Sequence, residues 1–357
     1  MRLTEGKAVL DVSVAKIVTK ELPVFYNPAM KLNRDISVLL LNSLPGSFRV
    51  ADILAGSGVR SIRFLKECKN VKEVFCNDSS EKAVQSIKKN TRLNKVSMNI
   101  SNKDASQFLL QSEGFNYIDV DPFGSPNPFL DAAVKRIARN GILAVTATDT
   151  SALAGSHPKA GLRKYWGFPL RFWAMHEFAI RLLARKVQLI AGQYDKALSP
   201  VFCHSTAHYV RLYLYCEKGK SKVDAIYKQH KFAHVCRYCL SITVSDNNSG
   251  VCCKRPMMVA GPLWTGQLWE RKLALKMKAI AKDEAKSLLD IIAQESRIQN
   301  VGFHDWYKIC SKRGHAVPKK EVVFERIRKA GYDVVPTHFS VQGLRSNISS
   351  RELLRLL

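Results

Sequence analysis

Long apolar runs are missing from this chain of 357 residues. No stretch approaches the roughly 18 uninterrupted apolar residues of a membrane-spanning helix. The N-terminal sequence MRLTEGKAVLDVSV also lacks the apolar run of a signal peptide. Nine cysteines are too few and too irregularly spaced for a disulfide scaffold. We therefore expect no membrane association and a reducing, cytoplasmic setting.

Acidic residues are scarce, with 30 Asp and Glu against 56 Lys and Arg, a formal net charge of +26. Such an excess favours a polyanionic partner, because Lys and Arg displace condensed counterions from phosphates. Charge alone also leaves open a membrane-surface binder or an organism with a basic proteome. No feature indicates an obligate protein partner.

Short apolar runs alternate with helical patterns between residues 48 and 218. Strand–helix alternation predicts an α/β fold with a mostly parallel, doubly wound, Rossmann-like sheet. Helices are expected after the first two strands, the second with Ser79 or Ser80 as its N-cap. The seven predicted strands are 48–54, 73–78, 97–102, 117–121, 141–148, 186–192 and 208–216.

Composition changes after this region. The polar segment 217–231 is typical of a linker, and beyond it come a cysteine-containing patch, a long helical stretch and a basic end. We expect a first domain with an N-terminal extension (1–217), a linker (218–230) and a smaller α+β domain (231–357).

A glycine-containing turn follows the first predicted strand, in the sequence Val50-Ala-Asp-Ile-Leu-Ala-Gly-Ser-Gly-Val-Arg60. Neither a GxGxxG fingerprint nor a P-loop is present. Gly56 and Gly58 would allow a tight turn and a close approach of ligand to backbone, with Asp52 at the strand end. Such turns serve structural purposes about as often as they bind cofactors.

Acidic residues also end the next two predicted strands. Asp78 lies about 20 residues after the glycines, where an acid can bind a ribose diol. Asp104, followed by Ala105, could accept from an adenine amine. Together they predict an adenosine-containing ligand across the strand ends. A helix N-cap at Asp78 and a solvated loop acid at Asp104 remain alternatives.

The fourth predicted strand runs into Asp121-Pro-Phe-Gly-Ser-Pro126, which resembles the Asp/Asn-Pro-Pro-aromatic motif of amino-group methyltransferases. An aromatic amine is a poor nucleophile, and a carboxylate that accepts its N–H bonds restores and aims the lone pair. Proline fixes the loop and Phe123 can stack on an extruded base. A carboxylate favours guanine, whose N2 and N1 are adjacent donors. A simple Asp-Pro-x-Gly turn is the structural alternative.

The chain resembles the tRNA guanine-N2,N2-dimethyltransferase family, which modifies position 26. The resemblance covers nearly the whole chain, most specifically in the stretches FYNP, NRDISV, DVDPFGSPNPFLD, VTATDTSALAG, LSPVFCHSTAHYVR and AGPLWTG. It implies S-adenosylmethionine as methyl donor and tRNA as partner.

The resemblance also implies roles for residues that have no local signature. Arg34 and Arg60 would contact the methionine end of the donor, and Phe25 with Phe123 would line the guanine pocket. Asp121 would orient the amine. Phosphate or surface contacts for the two arginines, and core packing for the two phenylalanines, are the alternatives.

Four thiols fall within 18 residues at Cys236, Cys239, Cys252 and Cys253. The first two form a C-x-x-C pair, which predicts a tetrahedral Zn²⁺ site. Adjacent cysteines seldom both reach one ion, so His234 could substitute as a ligand, and free structural thiols stay open.

The segment 303–340 is expected to form two short helices and a hairpin with a basic, aromatic face for tRNA. A solvated helix face over a normal core is the alternative. The basic residues are Lys312, Arg313, Lys319, Lys320, Arg326, Arg328, Lys329 and Arg345, and the aromatic ones Trp306, Tyr307, Tyr332 and Phe339.

Two other classes of function fit parts of this pattern. One is a methyltransferase acting on amines of adenine or guanine in DNA or rRNA. The other is a catalytically silent RNA-binding protein that kept the fold. An intact Asp-Pro-Phe-Gly motif with acids at the strand ends favours an active enzyme.

Overall fold

The structure is a computed structural model that describes residues 2–12, 26–312 and 314–357. Its strands are β1 Arg2–Glu5, β2 Ala8–Asp11, β3 Phe48–Asp52, β4 Val71–Asn77, β5 Asn99–Ser101, β6 Phe115–Val120, β7 Ile137–Ala147, β8 Lys196–Thr206, β9 Tyr209–Lys218, β10 His230–Val235, β11 Ile242–Ser245, β12 Val251–Cys252, β13 Arg255–Pro256, β14 Met258–Trp264, β15 His304–Asp305, β16 Val334–Thr337 and β17 Ser340–Ser346.

Helices flank these strands, and a single 3₁₀ turn, Pro28–Met30, leads into the first of them. The helices are α1 Lys31–Ser43, α2 Val59–Glu67, α3 Glu81–Asn94, α4 Ala105–Gln111, α5 Asn127–Arg136, α6 Thr150–Leu153, α7 Pro158–Tyr165, α8 Met175–Gly192, α9 Lys220–Tyr227, α10 Arg271–Ile280, α11 Asp283–Glu295, α12 Trp306–Lys312, α13 Lys320–Lys329 and α14 Ser350–Leu356.

The central sheet has seven strands in the order β5-β4-β3-β6-β7-β9-β8. The pairs from β5 to β7 are parallel, whereas β9 runs antiparallel to both β7 and β8. The predicted Rossmann-like, mostly parallel sheet is confirmed. The predicted cap of α3 is confirmed at Ser80, whose side chain accepts from the backbone of Ala83.

One predicted strand is wrong. Residues 186–192 are the last two turns of α8, a helix of 18 residues buried over most of its surface. A helix that is apolar on nearly all sides shows the same unbroken apolar run as a buried strand. The seventh strand is instead β8, an edge strand that contains Pro200 beside a register shift, where proline is tolerated.

The expected linker is also ordered. Within 218–230, α9 buries Val223 and Ile226 in the same core cluster as the sheet, and β10 begins at His230. The apolar positions of α9 are only two, which is why the segment resembled a polar linker.

One apolar core runs through both halves of the chain. It joins the strands of the central sheet to Trp264, Trp269, Leu289, Phe303 and Phe339. A second, smaller cluster lies between α12, α13, α14 and the hairpin of β16 and β17. Among the described helices, none combines the length and apolarity needed to cross a membrane.

The expected basic face is largely exposed, but one member is not. Arg345 is completely buried and pairs with Glu177 and Glu295. The prediction that Arg345 belongs to a tRNA-binding surface is therefore wrong. A single cation in a strand with alternating side chains does not show which face of the sheet it occupies. Trp306 and Phe339 are core residues, and Arg313 lies outside the described residues.

Candidate active site

Four acidic residues meet at one edge of the sheet. Asp52, Asp78, Asp104 and Asp121 stand at or just beyond the carboxyl ends of β3, β4, β5 and β6, which are adjacent strands. In parallel sheets this edge is the usual place for ligands. The sequence prediction that these acids converge is consistent with the topology.

The glycine-containing loop takes a conformation that favours glycine. Gly56 and Gly58 have φ of +56° and +76°, and Gly58 is the N-cap of α2. A Cβ at Gly58 would lie 3.3 Å from Cγ1 of Ile87. The N-terminus of α2 therefore approaches the acidic edge with backbone N–H groups that no side chain caps.

Asp78 connects this loop to the next strand. The backbone N–H of Gly56 donates to its Oδ2 at 2.8 Å, and the N–H of Ser80 donates to Oδ1 at 2.9 Å. The carboxylate thus shapes the loop in addition to any contact with a ribose. The helix cap itself belongs to Ser80.

Asp104 caps helix α4. Its Oδ1 accepts from the backbone N–H groups of Ser106 and Gln107 at 2.9 and 3.0 Å. Ala105 is the first residue of α4 and is buried. Its N–H belongs to the first turn of the helix, where backbone N–H groups have no intrahelical carbonyl partner.

Asp52 is buried beneath the loop and accepts from the hydroxyl of Ser61 at 2.8 Å. Burial, with the neighbouring Asp119 carboxylate, raises the pKa of Asp52 to about 7. Close by, the buried hydroxyl of Ser57 makes no hydrogen bond within the described residues. A buried hydroxyl without a partner suits a polar ligand.

Asp121 begins the Asp-Pro-Phe-Gly loop and is held by Arg60. The guanidinium of Arg60 donates to Oδ2 of Asp121, and the Asp121 side chain remains 17% exposed. The loop is fixed at Gly124, which exchanges hydrogen bonds with Thr148: the Gly124 N–H donates to Oγ1 at 2.6 Å.

The contact of Arg60 with the donor stays a prediction, and the structure shows which protein groups Arg60 binds. Arg60 is buried, and besides Asp121 it donates to Ser37 Oγ at 2.8 Å and Asn33 Oδ1 at 3.0 Å. Burial alone would lower the pKa of Arg60, but the charges of Asp119 and Asp121 outweigh it and raise that pKa.

Under the loop lies an ion pair that the sequence analysis missed. Arg211 on β9 and Asp119 on β6 are both fully buried and form two hydrogen bonds, of 3.1 and 2.6 Å. Tyr117 donates to the same carboxylate at 2.9 Å. The one available signal was a charged residue inside each of two apolar strands, since buried charges are normally paired.

Arg34 is fixed by the N-terminal hairpin. It donates to both carboxylate oxygens of Glu5 and, at 3.0 Å, to the carbonyl of Asn27. Burial raises the pKa of Glu5, but Arg34 and Arg63 outweigh it and lower that pKa to about 2. Arg34 is thus pinned at the edge of the site by Glu5, another residue that the sequence analysis missed.

Two cavities open on either side of Asp121. One, of about 40 Å³, lies under the glycine loop and is lined by Asp52, Ser57 and Arg60. The other, of about 260 Å³, is lined by residues of the Asp-Pro-Phe loop together with Thr148 and Tyr209. Asn27, Arg34 and Asp121 line both.

Phe123 lines the larger cavity with 42% of its surface exposed. An aromatic side chain that stays exposed beside a cavity can stack on a planar base. Phe25, its expected partner, lies outside the described residues.

The sulfur atoms of four cysteines from the second half of the chain lie close together. The sulfur atoms of Cys236, Cys239, Cys252 and Cys253 all lie within 4.8 Å of one another. A tetrahedron with Zn–S bonds of about 2.3 Å has edges of about 3.8 Å, so the thiols fit a zinc ion. His234 takes no part, since its Nε2 pairs with the carbonyl of Asn247 at 2.9 Å.

Comparison with known proteins places this site in a family. The family model described as "N2,N2-dimethylguanosine tRNA methyltransferase" matches residues 6–357. A relative from Aquifex aeolicus, named tRNA (guanine(26)-N(2)/guanine(27)-N(2))-dimethyltransferase, is 37% identical over 98% of this chain and 94% of its own. A tRNA (guanine(26)-N(2))-dimethyltransferase from Methanothermobacter thermautotrophicus is 36% identical over 99% and 98%.

A solved structure agrees over the full length. The complex of Trm1 from Pyrococcus horikoshii with S-adenosyl-L-methionine superimposes with a TM-score of 0.90 at 31% identity. The match covers 100% of this chain and 99% of the other.

Proposed function

Because the chain belongs to the N2,N2-dimethylguanosine tRNA methyltransferase family, we propose that it transfers two methyl groups from S-adenosylmethionine to N2 of guanine 26 in tRNA. The observation that carries this function is the position of Asp121. Its carboxylate is the acidic group that lines both cavities, so it can reach a base on one side and a methyl donor on the other.

We place the reacting end of the donor at the smaller cavity, of about 40 Å³, and the rest of the donor along the carboxyl ends of β3, β4 and β5. Gly56 and Gly58 bring backbone close to the ligand, and the uncapped N-terminus of α2 favours the donor's carboxylate. Asp78 and Asp104 are the acceptors for ribose and adenine, with Ala105 N–H as a donor. Asp52 lines the smaller cavity beneath the glycine-containing loop.

The base fits the larger cavity, with Phe123 against its face. Asp121 accepts from the exocyclic amine through Oδ1, because Oδ2 is engaged by Arg60. With one oxygen bound by Arg60, the carboxylate has one oxygen left to accept from the base. The two adjacent donors of guanine therefore no longer explain the preference for guanine, which rests on the family. Arg60 keeps the carboxylate in one orientation.

The donor supplies a methyl group that is already activated for transfer as a sulfonium. The protein therefore has to align the amine nitrogen with that methyl and exclude competing orientations. As nitrogen forms its new bond it becomes positively charged, and Asp121 stabilises that charge and takes the proton. Arg34, fixed by Glu5, closes the edge shared by the two cavities.

The rest of the chain binds RNA in this proposal. Residues 1–217 carry catalysis, and 231–357 present an exposed basic surface on α12, α13 and the preceding loop. The exposed cations there are Lys312, Lys319, Lys320, Arg326, Arg328 and Lys329. Their number, with the net charge of +26, fits a phosphate backbone.

Zinc fits the four cysteines, which would hold it as thiolates in a closed structural site. The adjacent pair reaches one point because Cys253 and Lys254 both have positive φ, of 51° and 59°. They form the two-residue turn between β12 and β13 and fold the Cys253 sulfur back toward Cys252.

The function is tested with unmodified tRNA transcript, labelled methyl donor and nucleoside analysis. We expect N2,N2-dimethylguanosine from the native sequence and none from a transcript with adenine at position 26. Asp121→Ala and Asp121→Asn should lower methyl transfer about 10²- to 10⁴-fold, because the charged acceptor is lost. Donor affinity, measured by calorimetry, should change little.

Asp131→Asn is the matched control, because Asp131 is an exposed carboxylate on α5 whose partners are Tyr194 and Lys135. It should retain full activity. Donor binding without methylation of any RNA would point to a silent RNA-binding protein, and methylation confined to rRNA or DNA would contradict the tRNA assignment.

A further inference from the structure

Exposed apolar side chains lie at the end of α7, a helix that follows the Asp-Pro-Phe-Gly loop in the sequence. Leu162 and Trp166 lie one helical turn apart at the end of α7, and Phe168 comes two residues later. Their side chains are 51%, 45% and 46% exposed. We call these three residues the α7 platform. Three large apolar side chains exposed together indicate a binding surface rather than chance.

The charged residues of the segment that carries the α7 platform all have one sign. Residues 156–173 contain no Asp or Glu. Lys159, Arg163, Lys164 and Arg171 in this segment are all exposed. Only Lys164 has an acidic partner within the described residues, Asp149 at 3.3 Å. Aromatic surface ringed by unpaired cations is the combination that binds a nucleic-acid strand.

Two residues of α8 hold Trp166 in place. It ends α7 in the left-handed conformation with φ of 54°. Its carbonyl accepts from Arg185 at 2.7 Å, and the ammonium of Lys186, a buried residue, lies over its ring. The indole is therefore fixed in orientation before any ligand arrives, while the rest of its surface faces solvent.

Helix α7 is joined by direct contacts to the segment that follows the Asp-Pro-Phe-Gly loop. The hydroxyl of Tyr165 donates to Asp149 at 2.5 Å and lies 3.1 Å from the hydroxyl of Ser125. The side chain of Asn127 donates to the carbonyl of Lys164 at 2.8 Å. Lys164 and Tyr165 directly precede Trp166, and Ser125 comes two residues after Phe123, so the end of α7 is anchored next to the loop that carries Phe123.

We propose that the α7 platform receives a nucleotide next to the target guanine in tRNA, with Trp166 stacking on its base and Lys159 and Arg163 contacting phosphates. The proposal rests on the function given above. A guanine inside the larger cavity must leave its stack, and its neighbour then loses a stacking partner. A fixed indole beside the cavity replaces that partner whatever the neighbouring base is.

The test compares Trp166→Ala, Trp166→Tyr and the control Leu110→Ala in the full chain. Leu110 is a similarly exposed apolar residue near the end of α4, a helix that packs on α5. Trp166→Ala should raise the Kd for tRNA about 5- to 100-fold, the range found for loss of one stacked base. Trp166→Tyr should recover most of that, and donor affinity should stay unchanged in all three.

A second arm places an abasic site on either side of guanine 26. Native protein should bind one of these transcripts more weakly, and Trp166→Ala should show no further loss on that transcript. Unchanged tRNA affinity in Trp166→Ala, or a fall in kcat alone, would overturn the proposal. Should that variant fail to fold, Arg163→Gln must still weaken binding and flatten its salt dependence. Native protein that binds and methylates no tRNA would refute the function itself.

Discussion

At the scale of single residues, Arg60 makes contacts with the protein that its sequence position does not indicate. An arginine at the start of the first helix after a glycine loop suggests a ligand for the donor's carboxylate. In the structure its guanidinium reaches across to Asp121, with Ser37 and Asn33 as further acceptors. A hydrogen bond to a charged group contributes about 1.5–3 kcal/mol, enough to set the orientation of the catalytic carboxylate.

We therefore expect Arg60→Met to lower kcat about 10- to 100-fold, the rate equivalent of one such bond. Arg60→Lys should restore part of the lost rate. Arg49→Met, at the other end of β3 with Glu73 as partner, should leave kcat unchanged. A variant that loses only donor affinity would return Arg60 to the role expected from sequence.

At the scale of elements, the sequence predicts the acids at the strand ends because short strands bounded by turns are local features. Asp78, Asp104 and Asp121 are therefore found from pattern alone. Asp119 and Arg211 are not, because their pairing depends on β6 and β9 packing across β7. The confusion of α8 with a strand has the same origin: burial on all sides removes the periodicity that separates helix from strand.

The hairpin of β12 and β13 explains how two adjacent cysteines can reach one metal ion, which their spacing in the sequence does not indicate. Its turn at Cys253 and Lys254 brings adjacent cysteines toward one point. We expect close to one zinc per chain after reducing, chelator-free purification, and its loss in Cys253→Ser. Cys310→Ala removes a thiol outside the cluster and should keep the metal. Metal-free native protein would leave the four thiols as structural cysteines.

At the scale of the whole molecule, the two halves of the chain are joined by buried charge as well as by apolar contact. Arg345 on β17 donates to Glu177 of α8 at 2.6 Å and to Glu295 of α11 at 2.7 Å. It also satisfies the carbonyls of Asn300 and Gly302. Four of the five N–H groups of this buried guanidinium are used, and the one that donates to Glu177 joins the basic end of the chain to the first half.

Arg345→Met should therefore lower the free energy of unfolding by about 3–5 kcal/mol. It breaks two buried ion pairs at once and leaves Glu177 with Arg181, and Glu295 with His338, as the remaining cationic partner. Burial raises the pKa of Glu295, but His338 and Arg345 outweigh it and lower that pKa from 4.5 to about 2. Its contribution to stability is thus complete above pH 4.5 and is lost as the pH falls toward 2. Acid unfolding of the variant should begin at higher pH.

Urea unfolding followed by fluorescence and by circular dichroism measures this effect. Arg328→Met, which removes an exposed cation from α13, should leave stability within about 0.5 kcal/mol and flatten the salt dependence of tRNA binding. If Arg345→Met has the same free energy of unfolding as the native protein, then the apolar core alone joins the two halves.

The continuous core has a geometric consequence for the choice of nucleotide. A surface that holds tRNA on one half cannot swing relative to Asp121 on the other, since Trp269, Phe303 and Phe339 pack into the core of the sheet. The distance from the tRNA-binding surface to the larger cavity is then fixed. On the function proposed above, the enzyme would therefore select its guanine by the distance from the bound part of the tRNA, and we expect the bases beside that guanine to matter little.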